Sequence, residues 1–424
     1  MKNIYVFLIG YSHSTILRRA LMSLNLIDHR IGDIAILEES EQFITINDSS
    51  FSQKIKFVKL IHNDLGATLN ECIQKVSSEY ILFLYDQQYF NNYIKDTILE
   101  LDDSQHVMTY PYIVKDKVIH RPFFIKTSFL KQNSFFSRYQ VPFREAVLPS
   151  WLSRLNKSSV VTASDNFISE TSKHVPISLF QKLEFIEKYQ HEKEQLLVEP
   201  SISVIIANYN MAEYVEIAIN SCFLQSSPID QILVIDDGST DHSYKQLEKW
   251  NYAPNFRLLK KENGGKARAL NDLIPYIQTK FVIELDADDW LDPNAISVIR
   301  EYLAVLPEDV AVLYGNLKNW RQTSLGDIYY RTVKKGKPVK SHQELINYNF
   351  PLGPRIYRTS SLKESNGFPV LEFEDVAILN KLLKNNRLLY QDFTVYNVRE
   401  HKLSFTRKSK KNHPKWSDFK KYFN

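Results

Sequence analysis

The feature that most constrains the fold of this sequence is an alternation of strand-like and helix-like segments that occurs twice along the chain. Short apolar runs predict buried strands, and the segments between them carry apolar residues at helical spacing. Strands that alternate with helices predict an α/β fold with a mainly parallel sheet. In the first half the predicted strands are Ile4–Gly10, Ile34–Leu37, Ile55–Leu60 and Tyr80–Leu84, and the predicted helices are Ser14–Leu26 and Ala67–Val76.

The alternation starts again after Pro200. Tyr11 corresponds to Tyr209 and Tyr80 to Phe281, at a nearly constant offset of about 200 residues, which is typical of a tandem repeat of one domain. Two unrelated α/β domains with the same rhythm are the alternative. The second set of predicted strands is Ile202–Ala207, Gln231–Ile235, Phe256–Lys260, Phe281–Ile283, Val310–Tyr314 and Phe393–Arg399, and the helices are predicted at Glu213–Leu224, Asp241–Trp250, Lys266–Tyr276, Ser341–Tyr348 and Phe373–Lys384.

Charge and cysteine content exclude several classes of protein. The chain has 53 Lys and Arg against 49 Asp and Glu, and the whole surplus lies in residues 401–424, so the body of the protein lacks the charge of a nucleic-acid-binding protein. Its 2 cysteines, Cys72 and Cys222, provide neither a disulfide framework nor a zinc-ligand spacing, and they indicate a reducing compartment. The apolar run after Lys2 is short and lacks a small-residue cleavage site, so we interpret it as a strand and expect a cytoplasmic protein.

An acidic stretch follows the predicted strand Phe281–Ile283. Glu284, Asp286, Asp288 and Asp289 crowd together there, and burying such charges without partners is costly. Alternate residues of an extended segment point the same way, so the carboxylates of Asp286 and Asp288 could face one ion. Oxygen ligands favour Mg²⁺ or Mn²⁺, and the pattern predicts a site for one of these ions. A solvated acidic turn is the alternative.

Six segments of the second half, in this order, resemble family 2 glycosyltransferases. They are PSISVIIANYN at 200–210, ILVIDDGSTD at 232–241, ENGGKARALND at 262–272, ELDADDW at 284–290, NGFP at 366–369 and FEDVAILNKLL at 373–383. The resemblance covers residues 200–405. It implies the GT-A fold, inversion at the anomeric carbon of a nucleotide-diphosphate sugar, and a metal that Asp286 and Asp288 hold beside the donor diphosphate. It also implies that Asp375 is the catalytic base, with Glu374 as the second candidate.

The same segments would line a donor site. Tyr209 follows the first strand of this half and could stack on a base, while Asp236 and Asp237 follow the next strand and could accept hydrogen bonds from base or ribose. Gly265 would let the backbone approach a diphosphate, and Lys266 would supply positive charge. A plain turn with a helix cap is the alternative for both segments.

Two further candidates also have simple alternatives. Asp375 follows Glu374 at the start of an apolar helix, where an acid also complements the helix dipole. Related transferases often carry a histidine near the position of His401, on a loop that closes over the donor, and this resemblance implies that His401 contacts the metal or the diphosphate. The other interpretation of His401 is a solvent-exposed residue at the start of the basic tail.

The first half lacks the acids on which this interpretation depends. Where the second half has its Asp-x-Asp pair, the first has Tyr85 and Gln87, so we predict a degenerate, non-catalytic copy of the domain. The offset between the halves grows toward their ends, which places an insertion at about Asn316–Ser341. We expect its polar, basic loop, Trp320–Lys340, to contribute to the acceptor site.

The predicted organisation is therefore two tandem GT-A-like α/β domains with mainly parallel central sheets. A degenerate copy at 1–176 precedes a helical linker at 177–199, the catalytic domain at 200–405 and a basic tail at 406–424. We expect an inverting, metal-dependent hexosyl- or N-acetylhexosaminyltransferase that uses Mn²⁺ or Mg²⁺ and a nucleotide-diphosphate sugar, with a UDP-sugar as the first choice. The acceptor would be a glycan, or a lipid-linked or protein-linked glycoconjugate, in cell-surface polysaccharide or glycoprotein synthesis. The tail could rest on the inner face of a membrane, and a homo-oligomer is left open.

Two other functions remain as alternatives. A nucleotidyltransferase would carry a Gly-rich, basic loop after its first strand, and residues 208–211, Asn-Tyr-Asn-Met, do not form one. A non-catalytic nucleotide-sugar-binding scaffold subunit of a glycosylation complex agrees with the first half and disagrees with the second.

Overall fold

The protein is described by a computed structural model over residues 2–38, 55–164, 166–170, 177–193, 199–324, 326–347, 351–371 and 373–401. The chain divides into two compact units, Met1–Gln190 and His191–Asn424. This division lies inside the segment that was predicted as a linker, and the helix in that segment packs within the first unit, where its Phe185 lies against Phe143. The predicted basic tail lies outside the described residues. In the described part of the chain, no helix has the length and the apolar character that crossing a membrane requires.

The first unit is built on a mostly parallel sheet. Its described strands are β1 Ile4–Ile9, β2 Ile31–Glu38, β3 Ile55–Lys59, β4 Tyr80–Tyr85, β5 Gln88–Phe90, β6 Val107–Val114, β7 Lys117–Lys126, β8 Val160–Thr162 and β9 Ile168–Glu170, and its helices are α1 Ser14–Leu24, α2 Leu65–Gln74, α3 Thr127–Gln132, α4 Val147–Leu152 and α5 Ile177–Glu187. The strand order is β3-β2-β1-β4-β7-β6-β8. Strand β1 is buried along its whole length, as its continuous apolar run predicts for a central parallel strand.

The second unit follows the same plan. Its described strands are β10 Ile202–Asn208, β11 Gln231–Asp236, β12 Phe256–Lys260, β13 Phe281–Glu284, β14 Trp290–Leu291, β15 Val310–Gln322, β16 Ile328–Lys334, β17 Arg355–Arg358 and β18 Arg387–Glu400, and its helices are α6 Val215–Phe223, α7 Ser243–Glu248, α8 Lys266–Leu273, α9 Ala295–Ala304, α10 His342–Ile346, α11 Thr359–Glu364 and α12 Glu374–Leu382. The strand order is β12-β11-β10-β13-β17-β15-β18-β14.

Apolar clusters cover both faces of the second sheet. Ile206 of β10 belongs to a cluster with residues of α6 and α9, while its neighbour Ile205 belongs to another with residues of α8 and α12. Side chains of a strand alternate between faces, so this division places helices on both sides of the sheet. The core therefore fills the two faces and leaves the edge at the strand ends for polar residues.

The two sheets agree in strand order and direction. β4 and β13 each pair in parallel with the first strand of their unit and antiparallel with β7 and β17, respectively. In both units the next two strands continue with an antiparallel and then a parallel pairing. This agreement supports a repeat of one sheet design, while the loss of an earlier activity from the first unit stays a prediction.

The predicted insertion, Asn316–Ser341, begins inside β15 and includes β16, whereas in the first unit β6 leads directly into β7. The prediction of a loop at Trp320–Lys340 was wrong, because β15 continues to Gln322 and pairs with β16 as a hairpin. Trp320 is buried, and its ring lies 6.0 Å from that of Trp290. Trp290 belongs to a distant segment, so this apolar contact could not be predicted from the polar composition of the insertion.

Candidate functional site

The polar residues singled out in the second half come together at one edge of its sheet. Strands β10, β11 and β13 are parallel, so their carboxyl ends meet at this edge. Tyr209 follows β10 and is 46% exposed, which leaves its ring open to a ligand. Asp236 ends β11, and Asp286 lies two residues beyond the end of β13.

Asp236 and Asp237 are buried and accept hydrogen bonds from the protein itself. Asp236 accepts from the side chain of Asn208 at 2.7 Å and from the backbone N–H of Ser239 at 3.0 Å. Asp237 accepts from the backbone N–H groups of Gly264 at 2.9 Å and Gly265 at 2.7 Å. These bonds support the turn interpretation for both acids, and a contact with the nucleotide stays a prediction.

The bonds of Asp237 hold the loop that leads into α8. Gly265 has a φ of +89° just before the helix, in the region where a residue without a side chain is at ease. Gly238 has a φ of +74°, and a Cβ there would lie 2.6 Å from the backbone nitrogen of Asn263, so only glycine fits. The loop thereby fixes Lys266 as the first residue of α8.

Lys266 lies among three carboxylates. Its ammonium nitrogen is 2.5 Å from Asp286, 2.9 Å from Glu284 and 3.9 Å from Glu374. Burial alone would lower the pKa of Lys266, but the charges of Asp286 and Glu284 raise it well above its ordinary value. Lys266 is therefore positively charged at neutral pH, and it pairs with acids of the site.

Glu284 also binds a second cation, Arg355, which the sequence analysis did not identify. The two residues face each other across β13 and β17 and form a two-pronged ion pair, with N–O distances of 2.9 and 3.0 Å. Tyr357 donates a further hydrogen bond to Glu284 at 3.1 Å. Burial opposes ionisation of Glu284, but Arg355 and Lys266 outweigh it and lower the pKa of this carboxyl. The sequence analysis predicted no strand at Arg355–Arg358, so it gave no signal for Arg355.

The two candidate bases face different cations. Helix α12 begins at Glu374, and Phe373 before it has a left-handed backbone with a φ of +66°. Glu374 faces Lys266, whereas Asp375 lies 3.7 Å from a guanidinium nitrogen of Arg355. Burial raises the pKa of Glu374, with Lys266 opposing the shift. Both acids also stand in the first turn of the helix, so the dipole interpretation holds beside the catalytic one.

Strand β18 brings His401 to the acidic stretch. Its Nε2 atom lies 2.9 Å from Oδ2 of Asp288, and its ring is 4.5 Å from that of Tyr214. His401 is only 3% exposed, so the interpretation as a solvent-exposed residue was wrong. The backbone N–H of Arg399, also on β18, donates to Asp289 at 2.9 Å. Burial and the charge of Asp288 raise the pKa of Asp289 well above its ordinary value.

The donors of the predicted metal site are only partly assembled. Asp288 and His401 are in contact, whereas Asp286 pairs with Lys266. Among the residues that the structure describes, no group of three acidic, histidine or cysteine side chains is placed to hold an ion. Carboxylate oxygens with an imidazole nitrogen are nevertheless ligands that suit Mn²⁺, so the chemistry of the donor set fits a divalent cation.

Residues 203–364 match the family model described as glycosyl transferase family 2. This part of the chain is a family 2 glycosyltransferase domain. The match begins in β10 and ends in α11, so it contains the Asp-x-Asp pair, Lys266 and Arg355. Asp375 and His401 lie beyond the matched part of this glycosyltransferase domain, and the contacts above connect them with it.

Curated relatives of the glycosyltransferase domain include a chondroitin synthase and a glycosyltransferase. A chondroitin synthase from Pasteurella multocida (strain Pm70) is 31% identical over 106 residues, which are 24% of this chain and 11% of the relative. Glycosyltransferase GlyA from Streptococcus pneumoniae serotype 4 is 24% identical over 227 residues, which are 50% of this chain and 32% of the relative. The chain thus spans a third or less of the length of these two proteins.

Solved structures of glycosyltransferases are also similar. The S. aureus TarS 1-349 structure in complex with UDP-GlcNAc is 23% identical, has a TM-score of 0.39 and covers 49% of this chain and 61% of its own. The mannosyltransferase PcManGT from Pyrobaculum calidifontis, solved with GDP-Man and Mn²⁺, is 15% identical, has a TM-score of 0.36 and covers 54% and 66%. These scores are too low to transfer a ligand or a reaction to this chain.

Proposed function

We propose that the second unit is an inverting glycosyltransferase that moves a sugar from a nucleotide-diphosphate donor to a hydroxyl group of a glycan or glycoconjugate. The observation that supports this most directly is the cluster in which Asp286, Glu374 and Asp375 meet around Lys266 and Arg355, at the carboxyl edge of a family 2 glycosyltransferase domain. Acids from two distant segments thus lie beside Lys266 and Arg355. A glycosyl transfer needs a donor site and a base close together, and this cluster can provide both.

Asp375 is proposed as the base. It removes the proton of the acceptor hydroxyl while that oxygen forms a bond to the anomeric carbon of the donor. The bond between this carbon and the diphosphate oxygen breaks at the same time, and its electron pair leaves with the nucleoside diphosphate. A positioned base contributes about 10²–10⁴-fold to such a step. Attack from the face opposite the leaving group inverts the anomeric centre.

The leaving diphosphate needs positive charge. Asp286, Asp288 and His401 are proposed to hold Mn²⁺ or Mg²⁺, which would act as a Lewis acid that stabilises the charge on the leaving oxygen. Lys266 at the start of α8 provides a further cation beside Asp286. Gly265 leaves backbone space for the diphosphate, because nothing lies within 4 Å of the position of an added Cβ there. Tyr209 is proposed to stack on the base, with Asp236 and Asp237 shaping the crevice.

The substrates are proposed at the level of class. Two relatives carry the names chondroitin synthase and hyaluronan synthase, which supports a glycan acceptor and a hexosyl or N-acetylhexosaminyl donor. A UDP-sugar is the first donor to test. The hairpin of β15 and β16 is proposed to contribute to the acceptor site. The first unit is proposed to be non-catalytic, and synthesis of a cell-surface glycan at the cytoplasmic side of a membrane is the proposed setting.

Release of free nucleoside diphosphate from a panel of nucleotide sugars tests the proposal. Thermal shift with Mn²⁺ and each nucleotide first selects the donors that bind, because a ligand of the folded state raises its stability. A glycosyltransferase releases the diphosphate from at least one of these donors and transfers its sugar when an acceptor is added. Binding without release from any donor supports the scaffold alternative and overturns the proposed activity.

A further inference from the structure

A buried ion pair, Glu284–Arg355, lies next to the candidate base Asp375. Glu284 ends β13, Arg355 begins β17, and the two side chains meet with two N–O contacts of 2.9 and 3.0 Å. Glu284 is buried, and Arg355 is nearly so. Removing two charges from water is costly, and apolar residues of similar volume often stabilise a core equally well. The pair therefore requires an explanation other than packing.

The first unit supplies an internal comparison. Its strands β4 and β7 have the places of β13 and β17, with Leu82 opposite Phe124. Phe83 follows Leu82 as Glu284 follows Ile283, and its side chain is fully buried. The position of Glu284 in this sheet design is thus apolar in the first unit. The sheet does not need a charge at this position, so the ion pair of the second unit has a role other than stabilising the sheet.

The remaining nitrogen of the Arg355 guanidinium, Nη1, indicates the role of the ion pair. Glu284 takes the Nε and Nη2 atoms of Arg355, while Nη1 lies 3.7 Å from Oδ2 of Asp375. Two contacts fix the plane of the guanidinium, so the third nitrogen has a defined position relative to Asp375. Glu284 also holds Lys266, which in turn faces Asp286 and Glu374. One buried carboxylate thereby orients both Lys266 and Arg355.

We propose that Arg355, fixed by Glu284, is a positioning residue that holds Asp375 in the ionised form and in the orientation from which it takes the acceptor proton. This inference rests on the proposed role of Asp375 as the base. A cation within about 4–6 Å favours the charged form of a carboxyl group. Other groups that act on Asp375 are Glu374 on the same helix and Tyr357 on β17. Among these groups, Arg355 is the one that forms an ion pair with Asp375.

The first test compares Arg355→Met with Arg355→Lys. Loss of the guanidinium should lower kcat at least about tenfold, because a misplaced base loses much of its effect, while the KM for the donor stays within about twofold. Arg355→Lys keeps the charge and loses the two-pronged geometry, so it should recover part of kcat. A fall in donor affinity that matches the fall in turnover would assign Arg355 to the donor site and overturn the inference.

A double-mutant cycle decides whether Arg355 acts through Asp375. Arg355→Met should not lower kcat further when Asp375→Asn is already present, because coupled residues have non-additive effects. The changes in melting temperature of the two single variants should likewise sum to more than the change of the double variant. This second measurement does not depend on enzymatic activity. Additive effects in both cycles would overturn the inference. If no donor is turned over by the wild type, the proposed function fails, while the melting cycle still decides the contact.

A third variant guards against simple misfolding. Arg355→Met alone leaves Glu284 buried with one cation fewer and could destabilise the unit. Glu284→Leu combined with Arg355→Met replaces both charges with apolar groups, and the first unit likewise has an apolar residue, Phe83, at the position of Glu284. This double variant should fold with a melting temperature close to that of the wild type and should lose kcat as Arg355→Met does. Normal turnover in a folded double variant would contradict the positioning role.

Discussion

The Nε2 atom of His401 lies 2.9 Å from Oδ2 of Asp288, although the two residues belong to separate segments of the second unit. Strand β18 makes this contact possible, because it pairs with β14 just after the acidic stretch and ends at Glu400. An imidazole and a carboxylate held together in a buried position are well placed to bind a cation jointly. The metal site of the proposed reaction depends on this pair.

We predict that His401→Ala raises the Mn²⁺ concentration needed for half-maximal activity by about tenfold or more, because a ligand of the ion is lost. The measurement is a Mn²⁺ titration of activity on a soluble acceptor. His342→Ala is the matched control, since His342 contacts Asn380 in α12 instead of the acidic stretch. Deletion of residues 408–424, which lie outside the described residues, should also leave the requirement unchanged. An unaltered requirement in His401→Ala would remove this residue from the site.

We predict that catalysis belongs to the second unit. Asp288→Asn should lower diphosphate release at least about 100-fold, because the Lewis acid is worth several kcal/mol. Asp86→Asn in the first unit should keep activity within about twofold, and asparagine tolerates the left-handed backbone that Asp86 adopts. Both variants undergo the same chemical change, so charge removal as such is controlled. Equal losses from the two variants would contradict the assignment.

The strands and the acidic stretch could be predicted from the sequence because they are local signals. The apolar runs predicted β10 to β13 within a residue or two at each end, and parallel strands then place Asp236 and Asp286 at one edge. The repeat of strand order in both units followed from a nearly constant offset. Patterns of this kind depend on residues that are neighbours in the chain.

Several contacts in and near the site are not local, and the sequence analysis missed them. Arg355 finds Glu284 only because β17 pairs antiparallel with β13, and no spacing in the sequence predicts that register. Trp320 looked like part of a polar loop because its partner, Trp290, lies in another segment. The buried state of Asp237 depends on the loop before α8. Pairings between distant segments decided each of these cases.

We predict that Asp237→Ala destabilises the unliganded protein by at least about 1–3 kcal/mol, because the N–H groups of Gly264 and Gly265 lose their buried acceptor. Asp272→Ala, an exposed acid in α8, should change stability by less than about 0.5 kcal/mol. Chemical denaturation without nucleotide measures both values. An unchanged stability of Asp237→Ala together with weaker donor binding would instead assign Asp237 directly to the donor.

We predict a pH-dependent effect of Glu374→Gln on stability. The folded-state pKa of Glu374 is raised by burial, so the folded protein holds this proton at a higher pH than the unfolded chain does. The resulting stability is fully present below about pH 4.3, the ordinary value for glutamate, and is lost as the pH rises through the folded-state pKa. Glutamine does not ionise, so the melting temperature of the variant minus that of the wild type should increase as the pH rises. Glu364→Gln, at an exposed position, is the control, and a pH-independent difference for Glu374→Gln would contradict the prediction.

The central claim is that Asp375 is the base of a glycosyl transfer, and Asp375→Asn tests it most directly because asparagine keeps the shape and removes the basicity. Turnover of a donor that binds should fall about 10²–10⁴-fold, while the donor Kd, measured by titration in the presence of Mn²⁺, stays within about twofold of the wild-type value. Loss of donor affinity in step with turnover, or turnover that survives the change, would contradict the account.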